Sequence, residues 1–222
     1  MILEVKNLSK SYYFESEVIN ILENINLEIK KTTSISIMGP SGSGKTTLLS
    51  ILAGLEPTTS GEVIIGNTSI QNLNEEKLCI LRQNIIGFIF QNSELIDELT
   101  VIENIQLPLL INKNRVDNEK ITRILKELGL NHRAYNTPKT LSGGEKQRVA
   151  IARSLIHDPE IIFADEPTGN LDEVTAMNVM KILLNLVKKY NKTLIIITHN
   201  PIIADMTERS YVLKNKQLDV IK

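Results

Sequence analysis

The sequence is poor in three things, and each absence removes a class of protein. It has one cysteine, Cys79, among 222 residues, so an intrachain disulfide and a cysteine-built metal site are both excluded. That fits a reducing compartment, and Cys79 itself reads as a packing residue. No apolar run approaches the ~20 residues that cross a bilayer, and Met1-Ile2-Leu3-Glu4-Val5-Lys6 lacks the long apolar core of a signal peptide. The chain is expected to be soluble by itself, with any membrane spans supplied by a partner. An excess of charge is missing too. The 25 basic and 26 acidic side chains leave a net charge of −1, which predicts no nucleic-acid partner. Internal repeats and low-complexity linkers are also lacking. What remains is an ordinary globular composition, 42% hydrophobic and 23% charged. The length suits one large domain or one domain with an inserted lobe.

The most informative stretch is Gly39-Pro40-Ser41-Gly42-Ser43-Gly44-Lys45-Thr46-Thr47. It follows the apolar run Ser34 to Met38 and leads into Leu48-Leu49-Ser50-Ile51-Leu52-Ala53, so it reads as strand, glycine loop and helix. That is the setting of a phosphate-binding loop. Glycines let successive backbone N–H groups turn inward on an anion, and the positive end of the helix adds to the field. Lys45 would reach the β- and γ-phosphates, and the Thr46 hydroxyl would ligate Mg²⁺.

Ahead of the loop, Ile2 to Val5 and Ile25 to Ile29 read as strands of an antiparallel β-lobe. A polar stretch with Tyr12 and Tyr13 lies between them; one of these rings could stack on an adenine, with ordinary packing the equal alternative. After the loop, Pro57 to Gly61 is turn chemistry. Glu62 to Ile65 and Ser69-Ile70 read as further strands, residues 75–83 as a polar helix, and Ile85 to Phe90 as a buried strand ending at Gln91. Residues 92 to about 140 change to helical patterns, Val101 to Leu110 and Glu119 to Leu128, with Gly129 a plausible C-cap and Pro108 near a helix end or at a kink. This stretch reads as a helical lobe inserted into an α/β core. Ser142 and Glu145 have capping-box spacing and open a helix whose first residues, Gly143 and Gly144, leave N–H groups free for an anion. An ordinary helix start is the simpler account. Lys146, Arg148 and Arg153 read as a solvated or salt-bridged face.

Glu160-Ile161-Ile162-Phe163-Ala164-Asp165-Glu166 is the second strong feature. An unbroken apolar run marks a strand buried on both faces, hence a parallel sheet. Asp165 at its end is placed to hold Mg²⁺ through water, and Glu166 to act as general base. Leu194 to Thr198 repeats the pattern and delivers His199. Parallel sheets present functional groups outside the carboxyl ends of their strands. Gly39, Gln91, Asp165 and His199 each stand at such an end, so all four are expected on one edge, around one phosphate.

Leu141-Ser142-Gly143-Gly144-Glu145-Lys146-Gln147-Arg148, with Gly39 to Thr46 before it and Ile161 to Glu166 after it, resembles the ATP-binding cassette (ABC) ATPases over essentially the full chain. The resemblance implies an α/β fold for residues 1–222 as one domain. It would have a P-loop NTPase (RecA-like) core with a mainly parallel sheet, an N-terminal antiparallel β subdomain and an α-helical subdomain inserted at about 92–140. It implies ATP and Mg²⁺ as cofactors, with Gly39 to Thr47 on the phosphates and Tyr12 the adenine-stacking aromatic. Thr46, Gln91 and Asp165 would be at the metal, and Lys45, Glu166, Gln91 and His199 in catalysis. Ser142, Gly143 and Gly144 would contact the γ-phosphate held by a second copy, and Asn170-Leu171-Asp172 would run along that interface.

A closer likeness is to one subgroup, carried by Gly87 to Gln91, Leu99 to Asn104, Leu107-Pro108-Leu109 and Ala164 to Asp172. Its members pair with permeases that extract lipoproteins, export macrolides or peptides, or confer antimicrobial-peptide resistance. The implied protein is a cytoplasmic ATPase, peripheral on the inner face of the membrane. Two rivals are a division-type complex that signals without moving a solute, and a soluble ABC protein of translation or DNA repair. The latter usually carries paired cassettes or long coiled-coil insertions, and this chain has neither. Departures are Lys31-Thr32-Thr33 where Gly-Glu is usual, Lys146 for glutamine, Asn200 for aspartate, and no proline within Ile96-Asp97-Glu98.

Overall fold

The computed structural model describes residues 1–15, 17–112 and 114–222. In chain order the elements are β1 (Leu3–Phe14), β2 (Glu17–Ile29), β3 (Ser34–Met38), α1 (Lys45–Leu52), β4 (Ser60–Ile65), β5 (Thr68–Ser69), α2 (Glu75–Ile85), β6 (Ile86–Ile89), α3 (Val101–Ile111) and α4 (Asn118–Glu127). They continue with α5 (Gly143–Leu155), β7 (Ile161–Asp165), α6 (Glu173–Lys189), β8 (Thr193–Ile197), α7 (Pro201–Asp205), β9 (Arg209–Lys214) and β10 (Gln217–Val220). Among the described residues no helix is long and apolar enough to cross a membrane.

Two sheets organise the chain. An antiparallel sheet has the order β2-β1-β4-β5, and a six-stranded sheet has the order β10-β9-β3-β8-β7-β6. In the latter, β9, β3, β8, β7 and β6 run parallel, and β10 closes the edge antiparallel to β9. The unbroken apolar runs of β7 and β8 follow from burial on both faces. Side chains alternate across a strand. Ile161, Phe163, Ile195 and Ile197 therefore join one core with α1 and the antiparallel sheet. Ile162, Ala164, Leu194 and Ile196 join another with α3, α4, α5 and α6.

Several elements differ from the sequence-based expectation. β1 and β2 reach far beyond Val5 and start well before Ile25, so Tyr12 and Tyr13 lie on a hairpin strand, paired with Ile19 and Val18. The polar character of this stretch comes from a solvated ladder, which pairs backbone to backbone without needing apolar side chains. Ile70 lies in a single 3₁₀ turn, not a strand. Ile85 is the last residue of α2, and Phe90 lies past β6, 37% exposed. Arg153 is no solvated cation. Its guanidinium donates to the carbonyls of Glu94 (2.5 Å) and Ser93 (2.6 Å). The helix 173–189 and the strands after His199 had no distinct signal in the sequence reading.

Two local features bear on stability, one for it and one against it. Asn104 is fully buried and ties the preceding loop to α3. Its Nδ2 donates to the carbonyls of Ile96, Leu99 and Thr100, and its Oδ1 accepts from the Ile96 N–H at 2.8 Å. Thr32 stands at φ +60°, a left-handed conformation costly for a β-branched residue, in the turn where the resemblance noted above leads one to expect Gly-Glu.

Asn104→Leu strands a loop donor and its acceptors, and it is expected to lower the unfolding free energy by about 2–4 kcal/mol in denaturant titration. Thr32→Gly relieves the left-handed strain at some entropic cost and is expected to raise it by about 0.5–1 kcal/mol in the same assay.

Candidate functional site

The strand register puts the expected residues on one edge. Ile37 pairs with Ile197, Ile197 with Asp165, and Ala164 with Ile89. The carboxyl ends of β3, β8, β7 and β6 are therefore level, and the residues that follow them emerge together. Ser41, Gly42, Gly44, Lys45, Thr46, Thr47, Gln91, Asp165, Glu166 and His199 line one cleft of about 400 Å³, a volume typical of small-ligand sites. Ile21 and Ile197 supply its apolar wall.

Local packing dictates the loop's composition. A Cβ on Gly39 would stand 2.5 Å from the Leu213 carbonyl oxygen of neighbouring β9, so no side chain fits. Gly44 sits at φ +97°, and a Cβ there would meet Ile21 Cγ2 at 2.7 Å. Gly44 is also the N-terminal cap of α1 and offers no side chain to its free N–H groups, which leaves them facing the cleft. Lys45 is buried and donates from Nζ to the carbonyls of Gly39 (3.0 Å) and Pro40 (2.9 Å). The ammonium is thus held inside the curl of the loop. Ser43 Oγ is buried without a hydrogen-bond partner among the described residues.

Asp165 lies against this helix start. Burial pushes its pKa up and neighbouring Glu166 adds to that, while a hydrogen bond from Thr46 and the Lys45 charge oppose it. The desolvated carboxylate and the Thr46 hydroxyl form a pair of hard oxygen donors. Mg²⁺ takes one or two such protein ligands and completes its shell with phosphate oxygens and water. Among the described residues no group of three or more His, Cys, Asp or Glu could hold a metal by itself. The donor set fits a cation that arrives with a phosphate.

Glu166 has φ +45°. A non-glycine residue held there is strained by order 1–3 kcal/mol, and such outliers cluster at functional sites. The conformation is over-determined: its N–H donates to Ile197 O at 3.0 Å, and its carbonyl accepts from Gly169 N at 2.9 Å. The side chain is thereby turned into the cleft, where Oε1 is 3.0 Å from His199 Nδ1. His199 is largely exposed, with 70% of its side-chain surface open. Gln91 Nε2 donates to Asn170 Oδ1 at 3.1 Å, and Asn170 Nδ2 donates to Asn92 Oδ1 at 2.7 Å. A Cβ on Gly169 would meet Gln91 Nε2 at 2.7 Å, so glycine there gives the glutamine its room.

Of the expected residues, Gly39, Pro40 and Ser43 form the back of the loop, outside the cleft lining, and four more stand apart from it. Tyr12 is on β1, 40% exposed. Its hydroxyl donates to Glu56 at 2.5 Å, and it is outside the cleft lining. Ser142, Gly143 and Gly144 are also outside it. Ser142 caps α5 and forms a full capping box with Glu145. The Ser142 N–H and the Arg133 side chain hold the Glu145 carboxyl below its usual range, against the effect of burial. A Cβ on Gly144 would meet Thr175 Cγ2 at 2.5 Å, so the second glycine of this helix start is also a packing requirement. Sequence reasoning missed Ile21, Asn92, Glu56 and Lys10. Only Lys10 had a signal, standing two residues before Tyr12 on one face of a strand.

The described geometry has close counterparts. A family model described as ABC transporter matches residues 22–169. The chain is 44% identical over 220 residues to a lipoprotein-releasing system ATP-binding protein of Legionella pneumophila, covering 98% of this chain and 97% of the relative. It is 42% identical over 222 residues to the protein of the same description from Treponema denticola, covering 99% and 98%. Among solved structures, a dimeric ATP-binding cassette in a post-hydrolysis state bound to ADP and Pi is similar with a TM-score of 0.88 and 39% identity, over 99% of both chains. Full-length identity at this level, on a fold that superimposes end to end, shows the lineage directly: the chain belongs to the ABC transporter family.

Proposed function

We propose that this chain is the ATPase of a membrane complex of the lipoprotein-releasing type, and that it works as a homodimer with two shared nucleotide sites. The observation that carries this reading is the division of the motifs. The cleft gathers Lys45, Thr46, Gln91, Asp165, Glu166 and His199, while Ser142 to Gly144 open a helix outside it. The site is half of one that a second copy completes. The cassette similar to it in structure is itself a dimer.

Catalysis at a transferring phosphoryl group is mostly positioning and charge stabilisation. The loop N–H groups and Lys45 hold the phosphates. Thr46 and Asp165 would hold Mg²⁺, which when bound neutralises charge on the phosphate oxygens. Glu166 orients the attacking water and takes its proton, with His199 fixing the carboxylate from one side and contacting the γ-phosphate from the other. Gln91 reports the state of the γ-phosphate. From the second copy, Ser142, Gly143 and Gly144 donate to the same γ-phosphate. Contacts to both copies favour the closed dimer with ATP, and their loss after hydrolysis reopens it.

The output surface follows from Gln91. Beside it lies a mainly apolar groove lined by Leu55, Phe88, Phe90, Leu107, Ile111 and His157, with Phe90 and Ile111 37% and 60% exposed. A permease element seated there adjoins Phe90, the residue before Gln91. Such docking would place the chain at the cytoplasmic face of the membrane without a span of its own, and residues 92–140 would act as the lobe that moves. The cargo is a lipoprotein or related amphiphile, by likeness to the two lipoprotein-releasing relatives.

Glu166→Gln is expected to lower ATP turnover by about 10²–10⁴-fold and to trap an ATP-bound dimer visible by size-exclusion chromatography; near-normal phosphate release in that variant removes Glu166 from the base role. Lys45→Ala deletes charge-assisted hydrogen bonds and is expected to weaken ATP binding about 10- to 100-fold, as read by equilibrium binding of a fluorescent ATP analogue.

A further inference from the structure

We propose that Glu56 and Lys10 are positioning residues for nucleotide recognition: they lock the Tyr12 ring in its base-stacking orientation and couple it to the helix that carries the phosphate loop. The proposal rests on the reading of Tyr12 as the residue that stacks on the base.

The contacts form a closed set. Tyr12 Oη donates to Glu56 Oε1 at 2.5 Å. Lys10 Nζ stands 2.9 Å from that same Oε1, donates to the Pro57 carbonyl at 2.8 Å, and lies 4.9 Å from the centroid of the Tyr12 ring. The lysine thus occupies one face of the ring and leaves the other for a base. Its side chain is only 9% exposed, unusual for lysine. An apolar side chain of similar volume would pack there without the cost of burying charge, so stability gives little reason for the ammonium. Its effect is to hold the Glu56 carboxylate and, through it, the phenol. Burial acts against ionisation of Glu56, but hydrogen bonds from Tyr12 and Lys10 outweigh it and keep its pKa below the usual range.

The backbone that carries this carboxylate is tied to α1, the helix that follows the phosphate loop. Leu55 and Glu56 donate their backbone N–H groups to the Ser50 carbonyl of α1, at 2.8 and 3.3 Å. Ring and phosphate loop are therefore referenced to one rigid element. A ring already held in one rotamer loses less freedom when a base stacks on it, and pre-organisation of this kind raises affinity by removing an ordering cost.

The test uses the full chain, ATP, and inorganic tripolyphosphate as a baseless probe of the phosphate loop. Tyr12→Phe keeps the ring and removes the tether, and Glu56→Ala removes the anchor. Each is expected to raise the Kd and KM for ATP roughly 3- to 10-fold, with kcat at saturating ATP held within about twofold and tripolyphosphate binding unchanged. The proposal is overturned if both variants bind ATP as the parent does while Tyr12→Ala binds it more weakly, because stacking then needs no tether. It is also overturned if tripolyphosphate binding falls in step with ATP binding, because the lesion then lies in the loop. If Tyr12→Ala itself binds ATP normally, the base-stacking reading and the proposal fall together.

Discussion

Everything at the site depends on the register of the central parallel sheet. Slanted, evenly spaced hydrogen bonds between β3, β8, β7 and β6 hold Ile37, Ile197, Asp165 and Ile89 near one level. The sheet keeps that register because both faces are buried, by α1 and the antiparallel sheet on one side and by α3, α5 and α6 on the other. A slip of one residue would exchange the two faces along a whole strand. It would also move Asp165 and Glu166 by more than 3 Å along the strand axis, out of reach of Thr46. The chemistry is therefore secured by buried isoleucines of the sheet that contribute none of its polar groups.

The same economy governs the turns. Glu166 keeps a strained backbone because β8 holds its N–H and Gly169 its carbonyl. Gly39 has no side chain because β9 passes beside it. Gln91 is clasped by Asn170, which joins the end of β6 to the loop after β7. Gln91, the proposed phosphate sensor, and Asn170, expected to line the interface between copies, are thus one hydrogen-bonded group. Closure of the dimer and the state of the γ-phosphate have a physical reason to be coupled.

The antiparallel sheet serves a different end. It packs its apolar face on α1 and carries Tyr12 to the rim, where Lys10 and Glu56 take up the ring's one hydroxyl and one of its faces. The cleft wall formed by Ile21 comes from the same hairpin. Under the proposed reading, base and phosphates are held by two lobes that share a single core.

The strand–loop–helix around Lys45, the buried strands before Asp165 and His199, and the capping box at Ser142 are legible in the chain alone. These are local: period, glycine placement and cap spacing act within a few residues. The resemblance of Leu141 to Arg148 added the family, which the comparisons bear out. The rest depends on contacts formed in three dimensions. The full length of β1 and β2 depends on backbone pairing, which leaves little trace in side-chain pattern when both faces are partly solvated. Arg153 binds carbonyls because the loop after Gln91 folds over it. Ile21, Asn92 and Glu56 reach the site, or the ring beside it, through contacts between segments distant in the chain. The separation of Ser142 from the cleft, on which the proposal of a shared site rests, is a fact of three-dimensional distance that no spacing along the chain encodes.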